Sequence, residues 1–489
     1  MANFNVNLHP NLVNLGTEGG LDSSVINGKS IQRTMHGLMI VKNGERKIVG
    51  SLTDEEQFND VIEDVSDYQD IVGGTGPVWG ALFDQDTESG DYFLAQSSDI
   101  DVDGNLYYAS INPESSYNSQ SMLRKFDPNG EVLWGKSIDA NAAGREVIRA
   151  RVANDGGIFL IYERMVRKLD SDGNEIWKFM QDDETWNTFN FVNCAEDSSG
   201  NLFVAGNGVY EGAMFFIIKF DSSGNLVEER QIYLNASDEY MAADMVIDSN
   251  DNVLFPLNMD LVDGAWSTLV VKLPNDLSEQ TWQVVLSADY GFGFDADSIA
   301  FGIDSLDNVY VFGYYRFVTK INSSGEIVWC KDIEGNGMGV DDDGNSYVVE
   351  DSGSTLQVTK IGSDGELVWS YDINASPLGV LGFRGWNDEG NSCVFVNNNY
   401  LMVQARLTTG GPVEKELLLK LPLDALSGTF GDFVFTDNTE NINLTTLSTT
   451  DNSENSAFFI YETTVLTDAS EALPEATVSQ EITLTSFEE

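Results

Sequence analysis

The feature that most constrains this chain is a repeated unit. Each copy opens on Asp-x-x-Gly-Asn and an apolar run, and closes on Lys-apolar-Asp-x-x-Gly-Glu/Asn-apolar-apolar-Trp, with substitutions in several copies. The clearest copy begins at Asp101-Val102-Asp103-Gly104-Asn105-Leu106-Tyr107 and ends at Lys125-Phe126-Asp127-Pro128-Asn129-Gly130-Glu131-Val132-Leu133-Trp134. The lysine of the unit recurs at 125, 168, 219, 272, 320, 360 and 420, with gaps of 40 to 60 residues. That period suits a four-stranded blade and is too long for leucine-rich or hexapeptide solenoids. Each Asp/Gly cluster supplies a positive-φ position and side-chain turn bonding, so two clusters per unit close two hairpins. Segments such as Val309-Tyr310-Val311-Phe312 are apolar at successive positions, the pattern of a strand covered on both faces by stacked neighbours. The expected fold is all-β: a β-propeller of about seven four-stranded blades, with six or eight left open by strand-like runs near the ends.

The repeated side chains read as scaffold. Seven of the 14 lysines occupy one repeat position, and five of the nine tryptophans (134, 177, 282, 329 and 369) occupy another. In three copies an aspartate follows the lysine by two residues, at Asp127, Asp170 and Asp221. On a strand such a pair projects from one face and could interact, but the other copies lack this aspartate, so the pairing is not general.

Composition narrows the function classes. Hydrophobic residues make up 42% and aromatics 11%, enough to bury a sizeable core. Seventy-nine acidic residues against 26 basic ones give a net charge of −53. Such a surface repels phosphate backbones and anionic headgroups, so neither nucleic-acid binding nor membrane insertion is expected. Cys194, Cys330 and Cys393 are odd in number and far apart, which argues against a disulfide framework or a zinc site. The only histidines are His9 and His36, so histidine chemistry is not expected within the repeats. The sequence shows no signal-peptide pattern at its start and no apolar run of about 18 residues.

The expected organisation is an N-terminal arm and small α+β element over 1–90, the propeller over 91–435, and a C-terminal β extension or cap over 436–489. Thr53 and Glu56 fit a capping box for a short helix reaching about Tyr68. Asn43-Gly44 fits a hairpin turn between Gly37–Val41 and Arg46–Val49. Val78-Trp79-Gly80 matches Leu133-Trp134-Gly135, so an N-terminal strand is expected to complete the last blade and clasp the ring.

Over residues 96–435 the units resemble the SBBP and quinoprotein-type propeller repeats, through Asp-x-x-Gly-Asn-apolar-Tyr-Val and Asp-x-x-Gly-x-apolar-apolar-Trp. This resemblance implies the architecture and is nearly silent on function. Lys420-Leu421-Pro422-Leu423-Asp424, Gly428-Thr429-Phe430-Gly431-Asp432-Phe433 and the tail Tyr461-Glu462-Thr463-Thr464 through Thr467–Ser470 resemble a closing element of virion proteins from tailed marine phages, cyanophages especially. That likeness implies a structural protein of a phage tail, fibre or surface projection, with other virion proteins as partners through the N-terminal arm.

Candidate sites are few. Asp99, Asp101 and Asp103 resemble the start of a calcium loop, but the twelfth position is Ser110 where an EF-hand needs glutamate. These three, with Asp341 and Asp343, are the candidate Ca2+ ligands, against ordinary turn chemistry. Segments 111–121, 206–214, 256–267 and 402–415 read as longer loops. Tyr117, Tyr210 and Trp266 within them, and Trp186 between units, are candidate contacts for a host-surface glycan or protein. No nucleophile–base pair or quinone-cofactor residues are evident, so no cofactor other than calcium is implied and no enzyme is expected. The expected function is a non-enzymatic structural or binding component of a virion. The alternatives are a secreted or cell-surface glycan- or protein-binding propeller, and a carboxylate-based carbohydrate-active enzyme.

Overall fold

The computed structural model describes strands at 25–26, 29–34, 37–42, 45–49 and 79–83, most of 94–447, and short strands at 450–451, 458–462 and 479–481. Within 94–447 the undescribed stretches are 113–119, 129–131, 140–146, 182–188, 210–212, 235–238, 242–243, 262–264, 279, 288–299, 314–316, 353–354, 376–379, 384–393, 397–399, 409–413, 431–432 and 448–449. His9, His36, Cys393, Tyr117, Trp186, Tyr210 and the 53–68 helix expectation lie outside the described residues.

Seven antiparallel blades form a ring, the fold expected from the repeats. They span 94–139, 147–180, 189–234, 239–287, 300–332, 337–374 and 380–422, the last completed by Trp79–Phe83. Apolar layers between neighbouring blades form the core. Tyr107, Leu123, Leu160 and Met165 meet between the first and second blades, and Ile161, Phe191 and Phe216 between the second and third. Strands Ile158–Tyr162 and Val309–Gly313 are buried at every position, as continuous apolar runs require, and Met165–Leu169 and Phe317–Ile321 are buried throughout although they carry a lysine.

One cross-strand row recurs from blade to blade. Tyr107, Lys125 and Trp134 lie opposite one another, as do Phe159–Lys168–Trp177, Tyr310–Lys320–Trp329 and Tyr347–Lys360–Trp369. The lysines sit over the aromatic rings, Lys125 at 4.6 Å from the Tyr107 centroid and Lys320 at 5.2 Å from that of Tyr310. Their carboxylate partners correct the expectation of an aspartate two residues on. Lys272 Nζ lies 2.6 Å from Asp248, Lys168 2.8 Å from Asp155 and Lys125 3.5 Å from Asp101. Each of these aspartates belongs to the first hairpin turn of the same blade. The lysine ends the third strand beside the start of the second, which places it against that turn. Asp170 and Asp221 instead accept bonds from Asn174 and Asn225 of their own turns.

The tryptophans staple neighbouring blades. Trp134 Nε1 donates to Ser171 O at 3.0 Å, Trp282 to Ser323 O at 3.1 Å and Trp329 to Ser363 O at 3.1 Å, each carbonyl lying in a turn of the next blade. Trp177 packs under the corresponding turn at Gly224, where φ is +84° and an added Cβ would lie 2.6 Å from the indole Cδ2. At Gly156, φ is +81° and an added Cβ meets nothing within 4 Å. Gly156→Ala therefore carries only the left-handed backbone cost of about 1 kcal/mol. Gly224→Ala adds an overpacking cost of ~2 kcal/mol. Urea unfolding of the two variants is expected to rank them in that order; equal losses would show that the indole does not seat against Gly224.

The ring is closed by chain from both ends. Strand Trp79–Phe83 pairs with Glu414–Pro422 and puts Trp79 opposite Lys420, the place a tryptophan holds in other blades. Across this junction Tyr400 Oη donates to Gly104 O at 2.6 Å, Gln404 Nε2 to Ser98 Oγ at 2.7 Å and Lys420 Nζ to Pro128 O at 2.6 Å. The described C-terminal strands form no blade of their own. They run back around the outer rim and add an edge strand to successive blades in reverse order. Phe433–Asp437 pairs with the sixth blade, Thr445–Thr446 with the fifth, Thr450–Asp451 with the fourth, Phe458–Glu462 with the third and Ser479–Glu481 with the first. The second blade has no such strand among the described residues. Phe433 and Phe435 are buried against the sixth and seventh blades' core, and Leu444 and Leu447 pack on the fifth.

Before the ring, Val25–Ile26, Lys29–Thr34, Gly37–Lys42 and Glu45–Val49 form a four-stranded antiparallel sheet. Its last hairpin pairs Lys42 with Glu45 around Asn43-Gly44, the two-residue turn that the sequence indicates.

Candidate functional site

The innermost strand of each blade lines the axis, and here the repeat breaks down. Arg149-Ala150-Arg151 lies on the inner strand of the second blade. Alternation sends both arginines to the face toward the third blade, while Ala150 packs into the layer shared with the first. Asp244, ahead of the fourth blade's Val246–Ile247, accepts bonds from the guanidinium groups of both Arg149 and Arg151 through Oδ1. Asp99, on the first blade's inner strand, accepts from the backbone N–H of Ile100 and of Val152, each at 2.9 Å.

These four side chains form one side of a cavity of about 200 Å3 on the axis. The other side is apolar, with Val246, Phe301, Met338, Val340, Val394 and Phe395. The cavity lies near the tight-turn end of the ring, since Ile100 and Val340 immediately precede the turn residues Asp101 and Asp341.

Burial sets the protonation of the group. It pushes the Asp99 carboxyl up, against the opposing charge of Arg151 and the two amide bonds. It lowers Arg149, while at Arg151 the charges of Asp244 and Asp99 outweigh burial and raise it. Cys194, on the third blade's inner strand, is fully buried, and burial pushes its thiol up to about 12 despite the nearby arginines. A thiol in that state is not a nucleophile near neutral pH. Burial likewise raises the Cys330 thiol to about 11. The cluster thus offers charge and hydrogen bonds of both signs beside an apolar wall. That is a recognition surface, with no activated nucleophile among its described residues.

The sequence-derived candidates are placed differently. Asp101 is engaged by Asn105 N at 2.7 Å and Asn105 Nδ2 at 2.8 Å. Asp341 is engaged by Asn345 N at 2.8 Å and by Tyr347 Oη at 3.0 Å. Asp103 and Asp343 are exposed at the turn tips, and Asp99 faces the axis rather than the turn. Among the described residues no three His, Cys, Asp or Glu side chains gather as metal ligands. Trp266 corrects a loop assignment: it lies on strand Ala265–Leu273 opposite Asp260. Leu257, Met259 and Leu261 alternate and carry the preceding strand through to 261 in spite of Pro256. The same lengthening of hairpins shortens the loops expected at 111–121, 206–214 and 402–415. Arg149, Arg151 and Asp244 escaped the sequence reading; the available signal was two alternating arginines in an acid-rich chain.

Residues 270–413 match the family model described as outer membrane protein assembly factor BamB. No curated protein sequence matches the chain. Solved structures similar to this chain include the following three. A protein of unknown function from Bacteroides caccae shares 14% identity, covering 53% of this chain and 91% of that one, with a TM-score of 0.35. A protein from Lactobacillus plantarum shares 11%, covering 56% and 82%, with a TM-score of 0.40. A gluconolactonase from Xanthomonas campestris shares 12%, covering 72% and 92%, with a TM-score of 0.33. No helix among the described residues is long and apolar enough to cross a membrane.

Proposed function

We propose that this chain is a non-enzymatic structural and binding component of a phage virion, in a tail, fibre or surface projection, with the belted propeller as its rigid body. The observation that carries the reading is where the virion-like segments fall. Residues 420–433 close the seventh blade and begin the C-terminal belt, and 461–462 end the strand on the third blade. The resemblance therefore lies in the elements that fasten the ring, which are the parts a particle protein depends on for mechanical integrity. The strongly acidic surface supports a role outside nucleic-acid packaging. Other virion proteins are its proposed partners, through residues 1–90, and a host-surface glycan or protein is the proposed contact of its loops.

Mass spectrometry of density-purified particles from a phage encoding this chain tests the placement. The expected result is the protein at structural-protein abundance. Its absence from particles, with its presence in the infected lysate, would sink the reading in favour of a free or cell-surface binder. Release of reducing sugar from host polysaccharide by the purified protein would instead favour the carbohydrate-active alternative.

A further inference from the structure

We infer that the axial cavity binds a small zwitterion with an apolar body, the chemistry of a single apolar α-amino acid. The groups that line it present both signs, the carboxyls of Asp99 and Asp244 beside the guanidinium groups of Arg149 and Arg151, within a chain of net charge −53. A simple anion would have to settle against that overall field, and a simple cation would have to compete with two arginines for Asp244. A ligand carrying both charges matches both signs without leaving either uncompensated.

The geometry gives each charge a place. Arg151 is the open arginine, with its side chain 24% exposed against 3% for Arg149, so its guanidinium is the group that meets a carboxylate. The Asp244 side chain is 6% exposed and takes both arginines on Oδ1, while Oδ2 bonds to no described residue and is the acceptor for an ammonium group. Across the cavity Phe301, Val340 and Val394 supply the wall for the apolar body. The cavity, of about 200 Å3, has room for a ligand of amino-acid size.

Isothermal titration calorimetry and thermal shift on the full chain test this with L-leucine, L-phenylalanine, 3-methylbutanoate and 3-methylbutylamine. The amino acids are expected to bind, and the carboxylate-only and amine-only analogues to bind at least about tenfold more weakly, each lacking one charge-assisted contact. Arg151→Gln is expected to weaken leucine by about tenfold. Val340→Phe, which fills the apolar side, is expected to abolish binding with the melting temperature retained. The inference is overturned if neither amino acid gives heat or a thermal shift at millimolar concentration, or if either analogue binds as tightly as leucine. The analogue comparison uses the unmodified protein, so it decides the matter even where a variant fails to fold.

Discussion

A chain ended at residue 430 is expected to keep its seven-bladed ring but to melt well below the full-length protein and to self-associate. The truncation removes Phe433 and Phe435, which are 4% and 2% exposed in the native core. Their burial alone contributes about 4 kcal/mol. It also strips the edge strands from the first, third, fourth, fifth and sixth blades. Their outermost strands would then present unpaired N–H and C=O groups, which is the template for edge-to-edge pairing. Differential scanning calorimetry and sedimentation velocity read the two effects separately. A truncated protein that melts with the full-length chain and sediments as a single compact species would show the belt to be an ornament of the ring.

Lys272→Met is expected to cost about 3–5 kcal/mol, because it leaves the buried Asp248 carboxylate without its countercharge. The Asp248 side chain is fully buried and Lys272 Nζ is 2.6 Å from it. Burial acts to raise the Asp248 carboxyl, but the bonds from Lys272, from the Asn252 side chain and from the turn amides outweigh it and hold it below the ordinary 3.8. The sign of the pH dependence follows. With the folded value depressed, the contribution is fully present above pH 3.8 and is lost as pH falls through the folded value. Asp155, Asp170, Asp197 and Asp221 are depressed in the same direction, so each contributes stability that is present above pH 3.8 and lost as pH falls through its folded value. In Lys272→Met the carboxyl loses its main stabilising bond and rises, so acid destabilisation should begin at higher pH. Adding Asp248→Asn should recover much of the lost stability, since a neutral amide needs no countercharge. Chemical denaturation of the wild type and the two variants between pH 3 and 7 (~4 units, spanning the ordinary carboxylate range) checks this. A loss in Lys272→Met that Asp248→Asn leaves untouched would assign the lysine's role to packing over its neighbours instead.

The ring was legible because its determinants are local and repeated. Asp-x-x-Gly turns, continuous apolar strands and in-register tryptophans each state their structure within a few residues. The closing strand was legible for the same reason, since Val78-Trp79-Gly80 copies a fourth-strand motif. The lysine partners are not legible, because spacing along one strand does not report proximity across a hairpin. Lys125 and Asp101 are 24 positions apart and meet only through hairpin register. The second blade's first turn was missed because Asn154-Asp155-Gly156-Gly157 departs from the Asp-x-x-Gly-Asn pattern, although Asp155 fills the same role toward Lys168. The axial cluster was out of reach for a stronger reason. Asp99, Arg149, Arg151 and Asp244 come from three blades, follow no repeat, and are neighbours only once the ring has closed.

The two fastening elements leave the ring at neighbouring blades. Trp79–Phe83 lies on the outer edge of the seventh blade, and Ser479–Glu481 on the outer edge of the first. Whatever is tethered through the chain before 79 or after 481 therefore grips the disc at one sector of its circumference. A disc held that way, like a flag on a pole, presents both flat faces sideways, and its axial opening points across the support rather than along it.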